Sequence, residues 1–144
     1  MTAETDLPRG VGPDDGRFTS YLCIGCPLGC RLEVEEDDRH EVVEVRGHNC
    51  KKGERFARQE HVDPRRMLTT TVAVHGGRLA RLPVRTADTI PKDLVMPLCL
   101  ALRSVEVEAP VRMGEVVLPD ALGSGVDVIA SRDLPTDVGE ALSR

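Results

Sequence analysis

The sequence predicts an α+β protein, a cysteine-knuckle β-hairpin module joined to a small valine-rich β-sheet with one helix. Four of its five cysteines cluster around a run in which apolar and polar residues alternate with period two. Short valine-rich runs separated by glycine and polar turns fill most of the remainder, as strands do. A single Leu-rich stretch carries a helical pattern of its own. The 144 residues have room for one ordinary domain, or for a small domain with a metal-stapled module, and exclude a large multi-domain enzyme. With Phe18, Tyr21 and Phe56 as the aromatics, the core must be aliphatic.

Residues 1–17 mix Pro, Gly and acids without periodicity, so burial cannot repay their ordering, and they read as a disordered tail. A cysteine-rich metal- or cluster-binding module is expected over 18–63. Apolar Phe18, Tyr21 and Leu22 lead into the run CIGCPLGC at 23–30. Residues 31–35 alternate, 41–46 form a second valine-rich run, and polar 36–40 make the turn of a hairpin between them. Residues 53–60, with Phe56 and Ala57 on one side and Pro64 beyond, read as a short helix.

A small α+β domain is expected over 64–133. Runs 68–75 and 78–85 flank Gly76-Gly77, which predicts a hairpin whose two-residue turn has positive φ at both glycines. Residues 90–103 carry a Leu-rich helical face with Thr89 as N-cap, and Pro97 in its middle must kink that helix or delay its start. Short strands follow at 105–107, 114–118 and 126–130, and 134–144 read as a frayed C-terminus.

A net charge of −5, from 24 acidic and 19 basic residues, argues against a nucleic-acid or anionic-membrane partner. The scarcity of aromatics argues against base stacking. The longest apolar run, 94–102, is interrupted by Pro97 and is too short to span a membrane, and the N-terminus lacks the apolar region of a secretory signal. The expectation is a cytoplasmic protein, in which clustered cysteines point to metal ligation or redox chemistry rather than disulfides.

Cys23, Cys26, Cys30 and Cys50 are spaced C-x2-C-x3-C-x19-C. The hairpin closes the long gap: with its turn centred near Asp38, residue 47 returns opposite Cys30, and the loop 47–49 bends Cys50 over the knuckle as a fourth thiolate. Gly25 and Gly29 let the backbone wrap tightly and turn its amides toward the sulfurs, which stabilises a negatively charged centre. Three cysteines in one loop plus a remote fourth suit a [4Fe-4S] cluster. Zinc, whose structural sites favour two CxxC pairs, is the alternative. A metal-free CxxC redox pair wants a strand-to-helix setting, whereas Pro27 and a strand pattern follow here.

The segment Cys23-x2-Cys26-x3-Cys30 with Cys50-Lys51-Lys52-Gly53 resembles the small iron-sulfur domain at the N-terminus of molybdopterin oxidoreductases. In that family the fourth cysteine is followed by x-Lys-Gly and the lysine lies between cluster and pterin, which implies a cofactor-side role for Lys52. The chain has no room for the pterin-binding domains. Over residues 21–133 it more closely resembles a family of small uncharacterised CxxC-motif proteins, on the blocks CIGCPLGC, NCKKG, DPRRMLTTTV, the GG hairpin, LPVRT, IPKDL and LGSGVDVIASR. Members are typically encoded beside flavin-dependent oxidoreductases of the glycerol-3-phosphate dehydrogenase type and a second, NAD/FAD-type dehydrogenase. The resemblance therefore implies a non-catalytic electron-transfer subunit with a flavoprotein dehydrogenase as partner. A zinc-stabilised interaction module in the same complex is the alternative.

Lys51, Lys52, Arg55, Arg58, Arg65 and Arg66 form a basic stretch after Cys50, read as a solvated face or as a dock for an acidic partner. Glu33, Glu35, Glu36, Asp37 and Asp38 read as a solvated hairpin tip, and His40, His61 and His75 as surface residues. His48 is a ligand only if a cysteine is not. Cys99, alone in an apolar run, reads as a small buried hydrophobe. Gly123-Ser124-Gly125 lacks the lysine and helix of a phosphate loop and reads as a turn.

Overall fold

The computed structural model describes residues 17–137, which fall into two units, 17–63 and 64–137. All but the last residue of the tail expected at 1–17, and 138–144 of the frayed end expected at 134–144, lie outside the described residues. The architecture is mixed α+β, with ten strands and two α-helices among the described residues.

In the first unit, β1 (Phe18–Leu22), β2 (Arg31–Glu36) and β3 (Val42–Arg46) form an antiparallel sheet in the order β1-β2-β3. The apolar lead-in to the cysteines is thus a strand in its own right. Period-two alternation puts Leu32 and Val34 wholly out of water while Arg31 and Glu33 face it. The helix α1 (Lys51–Val62) packs on β2 and β3 with Gly53 and Ala57 buried one turn apart, small enough to let the helix sit close to Leu32, Val34 and Val45. It starts at Lys51, two residues before the expected Gly53, because Cys50 in extended conformation serves as its N-cap. Asp63 and then Pro64 end it.

The hairpin predicted from 31–35 and 41–46 forms as β2 and β3, but residue 47 does not return opposite Cys30. A bulge between Glu35 and Glu36 shifts the register to Glu33↔Arg46, and Gly47, at φ +79°, lies against the backbone of Arg31.

In the second unit, β4 (Arg65–Arg66) pairs with β7 (Ile90–Pro91). A five-stranded sheet runs β8-β5-β6-β10-β9, built from β5 (Thr69–His75), β6 (Arg81–Thr86), β8 (Glu106–Glu108), β9 (Val116–Leu118) and β10 (Val128–Ala130). Its one parallel pair, β5 with β8, is the end of a crossover that passes through α2 (Val95–Leu102). Leu98 and Leu102, four apart on α2, meet Val72, Leu82, Val84 and Val128 in an aliphatic core.

The β5–β6 hairpin is present, but its connection is longer than two residues, with the Val74 N–H bonded to the Ala80 carbonyl. Of Gly76 and Gly77, the first alone has positive φ. Gly77 is needed for space, since a Cβ there would stand 2.8 Å from Val74 Cγ1. The helix expected over 90–103 begins late, after β7 and a 3-10 turn at Lys92–Leu94. Pro97 then falls in the first turn of α2, where backbone N–H groups have no partner within the helix. Thr89 is not its cap and instead accepts a hydrogen bond from Arg65 Nε. The C-terminal segment is ordered further than expected, for Leu134 is buried and exchanges backbone hydrogen bonds with Val111.

Candidate metal centre

The cysteine loop grows out of the end of β1 and returns into β2. The Cys23 N–H donates to the Cys30 carbonyl at 2.8 Å, closing the loop at its base, and inside it the Gly29 N–H reaches the Cys26 carbonyl at 3.4 Å. Cys23 is buried, Cys30 is half-buried, and Cys26 is exposed at the outer turn; all are free thiols.

The segment that brings the fourth cysteine is positioned by Gly47 on the Arg31 backbone and by α1. Asn49 Nδ2 donates to Cys30 Sγ at 3.3 Å. The Cys50 carbonyl accepts from the Gly53 and Glu54 N–H groups as the helix starts. The Cys50 thiol, which is exposed, lies near the N–H groups of Gly53 and Lys52 without making a cap bond of regular geometry. Those backbone groups, then the charges of Lys52 and Arg55, hold its pKa below the ordinary thiol value. Gly53 ties the two segments together: a Cβ there would stand 3.8 Å from Cys23 Sγ, 3.7 Å from Leu32 Cδ2 and 3.3 Å from His48 Cβ.

The structure therefore brings the loop of Cys23 and Cys30 against the helix start that carries Cys50 and Lys52, with Cys26 at the exposed edge. Among the described residues, no three Cys, His, Asp or Glu side chains converge in an arrangement that could hold a metal ion. The donor chemistry nevertheless fits a thiolate centre: four free thiols occur, and N–H groups approach the sulfurs of Cys30 and Cys50. Asn49 is the polar contact that sequence reasoning missed. Its donor direction depends on the path Gly47 imposes, and no local pattern marks it.

Several expected surface residues have other partners. His61 is nearly enclosed, with side-chain exposure of 10%; its Nδ1 lies 2.9 Å from the Tyr21 hydroxyl and its Nε2 2.9 Å from Glu36 Oε2. Glu36 is thereby removed from the solvated tip. Asp37 caps the turn by accepting the N–H groups of Arg39 and Glu41. The basic stretch is divided between the units: Arg58 pairs with Glu54 in the first, and Arg65 and Arg66 belong to the second, where they are half-buried. Cys99 is half-buried and packs against the main core of the second unit.

Fold and loop together define a mixed α+β protein with a cysteine-bearing first unit. The chain belongs to the family described as "Protein of unknown function (DUF1667)", whose model matches residues 51–132. The match begins just past Cys50, so the resemblances drawn on the cysteine segment have no counterpart in it. An NMR structure of the Clostridium perfringens protein CPE0013 is similar over 56% of this chain and 95% of its own, at 23% identity and a TM-score of 0.49. No curated protein matches the chain. Among the described residues no helix is long and apolar enough to cross a membrane.

Proposed function

We propose that the first unit holds a [4Fe-4S] cluster on Cys23, Cys26, Cys30 and Cys50, and that the chain is a non-catalytic electron-transfer subunit of a flavin-dependent dehydrogenase. The observation that carries this reading is the approach of N–H groups from 49–53 to the sulfurs of Cys30 and Cys50, beside Cys23. When bound, such a cluster supplies one-electron transfer. The chain's own residues hold it: buried Cys23 and half-buried Cys30 form the inner side, and exposed Cys26 and Cys50 the outer. Asn49 and the helix start offset thiolate charge, and Lys52, exposed beside Cys50, adds a full positive charge there. The partner is a flavoprotein dehydrogenase of the glycerol-3-phosphate dehydrogenase or NAD/FAD type, and the compartment is the cytoplasm, where the thiols stay reduced.

Anaerobically purified protein is expected to be brown and to carry about four irons and matching sulfide per chain. Replacing any one of Cys23, Cys26, Cys30 or Cys50 by Ser should prevent normal loading. One tightly held zinc with no broad visible absorbance would overturn the cluster and leave a zinc-stabilised assembly module in its place.

A further inference from the structure

The first unit turns apolar side chains outward around its cysteines. Leu22, Ile24 and Leu28 are 63%, 65% and 75% exposed, and all three lie in the cysteine loop or at its entry. The loop is closed at its base, and a Cβ on Gly29 would stand 3.9 Å from Leu22 Cδ1, so entry and exit lie side by side. Aliphatic side chains grouped in water forgo the free energy of burial, and such groups mark interaction sites. The first turns of α1 border this loop through the approach of Gly53 to Cys23 Sγ. There Lys51, Lys52 and Arg55 are exposed and make no ion pair among the described residues, whereas Arg58, further along, is paired with Glu54. This positive rim occurs in a chain whose net charge is −5.

We infer that Leu22, Ile24 and Leu28, rimmed by Lys51, Lys52 and Arg55, form a docking surface for a redox protein whose own face is an apolar patch ringed by Asp and Glu carboxylates. That the partner is a redox protein rests on the cluster reading; the surface itself does not. Transient electron-transfer complexes use small interfaces, and complementary rim charges speed encounter. Charge favours a protein over a membrane. An extended anionic lipid surface repels the whole acidic chain, while a compact carboxylate ring meets only the cations within a Debye length of about 8–10 Å.

The test uses the full chain and gold nanoparticles no larger than the protein, coated with mixed methyl- and carboxylate-terminated alkanethiols so that the probe presents a compact face, with adsorbed protein read by sedimentation. Wild type should adsorb. An Ile24→Ser/Leu28→Ser variant and a Lys51→Glu/Arg55→Glu variant should each bind about tenfold more weakly, the second difference shrinking as salt rises. Wild-type adsorption by both variants overturns the surface. So does equal or tighter binding to phosphatidylserine/phosphatidylcholine vesicles, which would assign it to a membrane. A dimer in sedimentation that Leu28→Ser dissolves would overturn it in favour of a second copy of the chain. Iron content of the same samples separates the two readings. Zinc with variant-sensitive adsorption removes the cluster and keeps the surface, and iron with insensitive adsorption does the reverse.

Discussion

Replacing Gly47 by Ala tests how the cysteine-bearing segments are held together, and Gly29→Ala in the same unit is its internal comparison. Both glycines have positive φ, +79° and +59°, so each pays a conformational penalty of about 1 kcal/mol when a Cβ is added. They differ in surroundings. A Cβ on Gly29 meets only Leu22 Cδ1 at 3.9 Å, an ordinary contact, whereas one on Gly47 would overlap the carbonyl oxygen of Arg31. Arg31 begins the central strand and pairs with Leu22 on β1, so this carbonyl has little freedom to retreat. Overpacking of that kind adds about 2 kcal/mol, giving about 3 kcal/mol for Gly47→Ala against about 1 for Gly29→Ala. The chain has one tyrosine and no tryptophan, and Tyr21, bonded to His61, lies in this unit, so tyrosine fluorescence reports its unfolding selectively. With a urea m-value of about 1 kcal/mol/M, the two midpoints should differ by about 2 M. Coincident midpoints would refute the close approach of Gly47 to Arg31.

Cys99→Ser should leave iron loading unchanged and cost about 1–2 kcal/mol, read from the far-UV circular dichroism transition, because a hydroxyl replaces a thiol packed against the core. The hydrogen bond from His75 to Glu106, 2.7 Å long, raises the His75 pKa. The stabilisation it gives is full below the unfolded value of about 6.5 and is lost as pH rises through the raised folded value. An NMR titration should show the His75 midpoint falling back in Glu106→Gln. Hydrogen bonds first from His61 and then from His40 hold the Glu36 carboxyl below its usual range. Its contribution is therefore present above the ordinary Glu value and lost as pH falls through the lowered one. Glu36→Gln should flatten the acid limb of the tyrosine-monitored stability profile, and an unchanged limb would remove Glu36 from the acid response.

The first hairpin was legible because Leu32 and Val34 alternate with charged residues, and period two leaves no other face for them. Its register was not, since a single bulge at Glu35/Glu36 moves residue 47 and nothing in EVEEDDRHEVVEV announces which residue is extra. The late start of α2 was foreshadowed by Pro97, but the short β4–β7 pair rests on Arg65 and Arg66 meeting Pro91 and Ile90, a contact between segments far apart in sequence with no local signature. His61 misled for a related reason. Its position near the end of a polar helix suggests solvent, and only the third dimension sets it between Tyr21 and Glu36. At the candidate centre, spacing singles out Cys23, Cys26, Cys30 and Cys50 as candidates, and the structure sets Cys23 and Cys30 beside the helix start that carries Cys50. The roles of Asn49 and Gly53 come from the approach of two loops, which spacing alone does not specify.

The fourth cysteine depends on the sheet more than on its own neighbourhood. Helix α1 has 12 residues, a length at which an isolated helix is marginal in water, and its fully buried residues are Gly53 and Ala57, with Phe56 and His61 partly covered. What holds it is packing on Leu32, Val34 and Val45, the inward face of the hairpin. The N-cap position of Cys50, and the N–H groups of Lys52 and Gly53 near its sulfur, therefore exist only once β2 and β3 have paired and α1 has docked on them. The same hairpin carries Cys30 at its entry, so one folding event sets both sides of the candidate centre. A metal or cluster bound there would engage the folded unit and not the open chain, and its binding free energy would add directly to the stability of residues 17–63.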